Sequence, residues 1–232
     1  MSKNKILAII LSVLILITTV VLVIYFYPKY KFSYENVKDM LLSQETNFTN
    51  LHHKIEMYSG DDNLIGYYDI YIKDHLTYTY QLDKSTNESS EIFENRNENS
   101  HITVINPRKR IIATTIPIYK TKNSDAFLEK ASQNETNENL GVFEYLGIET
   151  FNNLDCLKVS LTDNYTDYQD VDIYYIDLAT NLIVKNEYFT SKDSEELIKM
   201  HTEVNIFEFN TVKDEDLKPF NLDNYPEYSY RD

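Results

Sequence analysis

At 232 residues the chain has room for one domain with attachments or two small domains. Its 37 acidic against 22 basic residues give a formal net charge of −15, a field that repels phosphate backbones and excludes nucleic acid as a natural partner. A single cysteine, Cys156, excludes an intramolecular disulfide framework, and four glycines leave little material for phosphate-cradling loops.

From Ile6 to Phe26 the chain carries no charge, and twenty or so apolar residues at about 1.5 Å each span a hydrocarbon core of about 30 Å. A cleavable signal peptide has a shorter apolar region ending in small residues. Here Tyr25, Phe26, Tyr27 and Pro28 follow, with no cysteine to accept a lipid. The reading is therefore an uncleaved signal anchor over 6–27 with a cytoplasmic tail over 1–5. Lys3 and Lys5 precede the span and Lys29 and Lys31 follow it, so charge alone orients it weakly. A short N-terminal tail before a long acidic domain places that domain outside a cell membrane crossed once, with Tyr25, Phe26, Tyr27 and Tyr30 at the interface.

Beyond the anchor, Ser33 can cap a short helix with Tyr34, Val37, Met40 and Leu41 on one stripe. Strand patterns follow. Leu51, His53, Ile55 and Met57 alternate with His52, Lys54, Glu56 and Tyr58, and Ser59 to Asn63 is a turn cluster. Leu64 to Lys73 and Thr77 to Leu82 continue the series, with Tyr68, Ile70 and Ile72 on one face of the first. Lys84 to Asn99 reads as a polar loop around a weak strand near Ile92 and Phe93. Ile102 to Ile105 and Ile111 to Tyr119 flank Asn106-Pro107-Arg108-Lys109 as a hairpin.

Asn123 to Gln133 has Ala126, Phe127, Leu128 and Ala131 at helical spacing. Strands resume over 142–149, 156–161, 171–177, 182–189 and 201–209, and residues 214–232 read as extended. Short turns imply antiparallel pairing. The expected fold is mainly β (α+β): a highly curved antiparallel half-barrel of nine to eleven strands with one or two packed helices, preceded by the transmembrane helix. An open sheet of that size curls, and its apolar concave side forms a groove for which Ile55, Met57, Tyr68, Ile70, Tyr78 and Tyr80 are the candidate lining.

Catalytic and metal chemistry is poorly represented. His52 and His53 are adjacent on a strand and point to opposite faces, so they cannot chelate together. His75, His101 and His201 lack a partner at ligand spacing. Asp163, Asn164, Asp167, Asp170 and Asp172 form an oxygen-rich patch, but without the glycine and terminal Glu of a calcium loop they read as a solvated acidic loop. No G-x-S-x-G, H-E-x-x-H or phosphate loop is present. The expectation is a non-enzyme without cofactor or metal, and Cys156 reads as a small buried hydrophobe.

The run Leu146-Gly-Ile-Glu-Thr, then Leu154-Asp-Cys-Leu-Lys-Val, then Tyr174-Tyr-Ile-Asp-Leu-Ala-Thr-Asn-Leu-Ile-Val-Lys-Asn-Glu resembles the C-terminal half of LolA/LolB-like proteins. Phe207-Glu-Phe-Asn-Thr-Val-Lys-Asp-Glu-Asp-Leu-Lys-Pro resembles their terminal strand and its exit. The resemblance covers 33–222, most strongly 142–220, and leaves 223–232 as a tail. It implies a half-open barrel capped by helices. An anchored, lipobox-free member looks like relatives from spore-forming anaerobes, including the germination lipoprotein GerS, which binds a cortex amidase; this chain departs from it in lacking an acylated cysteine. The implied role is binding an envelope protein such as a cell-wall hydrolase in sporulation or germination, or alternatively binding or carrying a lipid or lipoprotein acyl chain.

Overall fold

A computed structural model describes residues 13–22, 31–43, 49–106, 108–114, 124–133, 136–192 and 196–231. Residues 13–22 are helical (α1) and expose the apolar side chains from Val13 to Leu22. The expected anchor over 6–27 extends past the described residues on both sides, and no described helix is long and apolar enough to cross a membrane.

The body is one curved sheet. Strands β1 (Asn50–Ser59), β2 (Leu64–Lys73), β3 (Leu76–Asp83), β4 (Glu88–Asn95), β5 (Ser100–Asn106) and β6 (Arg110–Thr114) form one antiparallel meander. Strands β7 (Val142–Phe151), β8 (Leu154–Asn164), β9 (Tyr168–Asp177), β10 (Ile183–Lys192) and β11 (Ile198–Phe209) form a second. The two are welded by antiparallel pairing of β1 with β11, from Leu51 opposite Phe209 to Ser59 opposite His201. A twelfth strand, β12 (Ser229–Arg231), adds in parallel to the β6 edge. The curved, mainly antiparallel sheet with packed helices agrees with the expected half-barrel, but it has twelve strands among the described residues where nine to eleven were expected, the twelfth joining in parallel.

With so few glycines, the chain takes left-handed turn positions with other residues. Asp62, Asp74, Asn87, Asn99, Lys109, Asn152, Asn153, Asn181 and Asn210 all have positive φ. All but Lys109 are Asn or Asp, whose short polar side chains tolerate that region.

Two helices cover one face. In α2 (Tyr34–Leu42) and α3 (Asp125–Ser132), the stripes anticipated from spacing bury Val37 and Leu41, and Phe127 and Ala131. These pack on Leu157, Val159 and Leu161 of β8, Tyr174 and Ile176 of β9, and Ile183. Ser33 occupies the N-cap of α2 with extended backbone but makes no side-chain cap hydrogen bond. The helix-side cluster takes its strand residues from β7–β10 and none from β1–β6.

Residues 213–231 form a strap over the first meander, on the opposite face. Leu217, Phe220, Tyr225 and Tyr228 pack against the buried Tyr78, Phe93, Val104 and Ile111. The stretch expected to be an extended tail therefore carries two short 3₁₀ turns, Asp214–Asp216 and Leu222–Asn224, and the edge strand β12. Tyr225 Oη donates to Glu91 at 3.2 Å, a carboxylate that also receives Tyr78 Oη at 2.9 Å. Tyr228 donates to Asn106, and Lys109 pairs with Glu227. Tyr225→Phe keeps the ring and loses one hydrogen bond to a carboxylate, so urea unfolding is expected to show a loss of about 1 kcal/mol.

One expectation fails locally. Glu88–Asn95 is a full strand paired on both sides, not a loop around a weak strand. Its alternation is masked because the inward Phe93 is flanked by Glu91, whose carboxylate is held by phenols instead of water. The 115–119 part of the predicted hairpin strand lies outside the described residues.

Candidate functional site

The register decides which candidate groove residues meet. Ile55 lies opposite Tyr68, His53 opposite Ile70 and Met57 opposite Gly66, so Ile55, Met57, Tyr68 and Ile70 share the helix-bearing face. All four are half-buried. Next to them on that face are Thr79, opposite Ile70, and Gln81, opposite Tyr68, then Ile92 on β4. Gln81 Nε2 donates to Tyr68 Oη at 3.0 Å and Gln81 Oε1 accepts from Ser90 Oγ at 3.2 Å, giving the apolar stripe a polar border.

Tyr78 and Tyr80 are not part of this surface. Tyr78 lies opposite Tyr71, and Tyr80 opposite Asp69, which places both on the strap face. Period-two alternation separates the two faces of one strand but does not say which faces of successive strands coincide; that is set by turn length. The Asp74-His75 turn brings an even-numbered pair of β3 beside odd-numbered β2 residues. Tyr78 lines a cavity of about 320 Å³ beneath the strap instead.

The adjacent histidines divide as expected. On the strap face His52 is gripped by Asp69 at 2.5 Å and Glu208 at 2.8 Å and stacks on Tyr71. Burial alone would lower its pKa, but those two carboxylates outweigh it and raise it. On the helix-bearing face His53 stacks on Phe207 with centroids 4.3 Å apart, and its Nε2 bonds Asn205 Oδ1 at 2.8 Å. Burial pushes its pKa down to about 4, against the Asn205 hydrogen bond that favours the charged form. His101 holds Glu94 through Nδ1 and Thr103 through Nε2.

The acidic patch is not a solvated loop throughout. Asp163 and Asp172 are buried, and Lys130 of α3 reaches them at 3.0 and 2.5 Å. Asp163 also accepts the Gly141 N–H at 2.6 Å. This clamp fixes α3 to β8 and β9. Its partner was signalled in the sequence: Lys130 stands three residues after Phe127 and one before Ala131, a charge on the apolar stripe of a helix. Among the described residues no group of three His, Cys, Asp or Glu side chains is placed to hold a metal. Cys156 is buried, and burial raises its thiol pKa.

No family model and no curated protein sequence matches the chain. Among solved structures, the chain is similar to an uncharacterized conserved protein from Thermus thermophilus, with a TM-score of 0.47, 8% identity, and 86% of this chain and 98% of that one covered. It is also similar to MucA/MucB of Pseudomonas aeruginosa, with a TM-score of 0.41, 9% identity and coverage of 80% and 61%. A third is the Mycobacterium tuberculosis lipoprotein LppX, with a TM-score of 0.33, 8% identity and coverage of 77% and 95%.

Proposed function

We propose that this chain is a non-catalytic binding module of the LolA/LolB-like kind, tethered at the cell membrane by residues 6–27 and facing outward, whose helix-bearing surface on β1 and β2 engages an apolar segment of an envelope protein. The observation that carries this reading is the stripe of Ile55, Met57, Tyr68 and Ile70 on one face, half-buried and outside the cluster that the helices close. A contiguous apolar surface with a hydrogen-bonded polar border is what a binding surface needs. The tether is supported by α1, where Thr18 and Thr19 donate back to Leu14 and Ile15 carbonyls at 2.9 Å, leaving those hydroxyls satisfied in an apolar medium. By resemblance, the partner class is a cell-wall hydrolase controlled during sporulation or germination.

The test is a photo-crosslinking residue at position 70 of the full chain in its own membrane, with position 80 as the control on the opposite face. A discrete protein adduct from 70 and none from 80 is the expected result. An adduct of lipid mass at 70 would replace the protein partner with an acyl chain, and equal protein adducts at both positions would overturn the assigned surface.

A further inference from the structure

The cavity beneath the strap lies on the other face of the sheet from the surface just assigned, and its walls are aromatic. Tyr78 and Phe93 stand with ring centroids 5.3 Å apart, and Phe93 and Phe220 5.6 Å apart, both pairs tilted. Leu76, Ile102, Leu217 and Pro219 complete the apolar lining. Its volume of about 320 Å³ is at the small end of ligand pockets.

The charges at this cavity favour a cation. Glu98 lines it, and no cationic side chain among the described residues lies within 4 Å of the Glu98 carboxylate; Glu94 also borders it, but the register turns its carboxylate to the other face, where His101 holds it. Lys218, also in the lining, makes no ion pair among the described residues. Its Nζ sits 5.1 Å from the centre of the Tyr78 ring and 3.4 Å from the Tyr78 hydroxyl. The chain thus places one of its own ammonium groups on the aromatic wall, where the ring quadrupole attracts positive charge. The net charge of −15 concentrates cations and repels anions around the whole molecule.

We propose that this cavity is a binding site for a small free organic ammonium with an apolar body, which seats on the rings of Tyr78, Phe93 and Phe220, turns its charge toward Glu98, and displaces Lys218 from the Tyr78 ring. Lys218 is then a resident competitor. That role fixes the sign of its substitution: removing the ammonium frees the ring face for a cationic ligand, whereas in a site built for anions it would remove the counter-charge.

The test is calorimetric titration of the full chain in nonionic detergent with phenethylammonium, phenethyl alcohol and phenylpropionate, which share an aryl body and differ in charge. The ammonium is expected to bind about tenfold more tightly than the alcohol, and the carboxylate most weakly. Lys218→Ser is expected to tighten phenethylammonium binding by roughly threefold, and Glu98→Gln to weaken it by a similar factor. Lys218 and Glu98 are both exposed, so neither change threatens the fold. Equal affinity for the three compounds, tighter binding of phenylpropionate, absence of binding, or weakened ammonium binding in Lys218→Ser would each overturn the proposal.

Discussion

Lys130→Met is expected to cost about 3–5 kcal/mol of stability, the largest single effect among the charged residues of this fold. The lysine side chain is 14% exposed and touches two carboxylates whose side chains are 7% and 13% exposed. Burial by itself would lower the lysine pKa, but Asp172 and then Asp163 reverse that and raise it. Removing the ammonium leaves two like charges buried side by side, with the Gly141 N–H and the Asn186 amide still donating to them. The penalty comes from those stranded charges more than from the lost attraction. Combining Lys130→Met with Asp163→Asn and Asp172→Asn is therefore expected to recover most of the stability, which a merely bulky methionine could not explain. Urea unfolding followed by far-ultraviolet circular dichroism reads both. An exposed pair offers the contrast: Lys73 with Asp214, whose side chain is 93% exposed, is screened by water, and its removal is expected to leave the urea midpoint unchanged.

The clamp also shows where the sequence was legible and where it was not. Each strand with clean alternation, and both helical stripes, is present, because burial of one face imposes a period that local spacing displays. Pairing across strands is a different kind of information. Tyr78 and Tyr80 look equivalent to Tyr68 and Ile70 along the chain, yet the register turns them to the strap face. Asp163 and Asp172 look like members of a wet acidic loop, since the lysine that neutralises them arrives from a helix more than thirty residues earlier in the chain. The strap was the least legible. Leu217, Phe220, Tyr225 and Tyr228 follow no strand or helix period, and only the meander beneath them makes their spacing meaningful.

A second large effect is expected from pH, through His53. Its neutral ring is held against Phe207 and bonded to Asn205, with His52 adjacent in sequence on the other face adding a small push in the same direction as burial. The folded pKa is about 4, below the unfolded value of 6.5. As pH falls below 6.5 the unfolded chain takes up a proton that the folded chain refuses, so stability is present above 6.5 and is lost on the way down to 4. Linkage over that window gives a loss of about 2 kcal/mol between pH 7 and pH 5, and at most about 3 kcal/mol by pH 4. His52 works in the opposite sense. Its raised pKa adds stability once it is protonated, and that stability fades as pH rises through its folded value. Comparing the parent with a variant that lacks this one imidazole isolates the His53 contribution from every other titrating group. His53→Phe preserves a ring on Phe207 and removes the proton, and unfolding of that variant should lose about 2 kcal/mol less than the parent over the same interval. A variant as pH-sensitive as the parent would place the titrating group elsewhere, with His52 excluded by its sign.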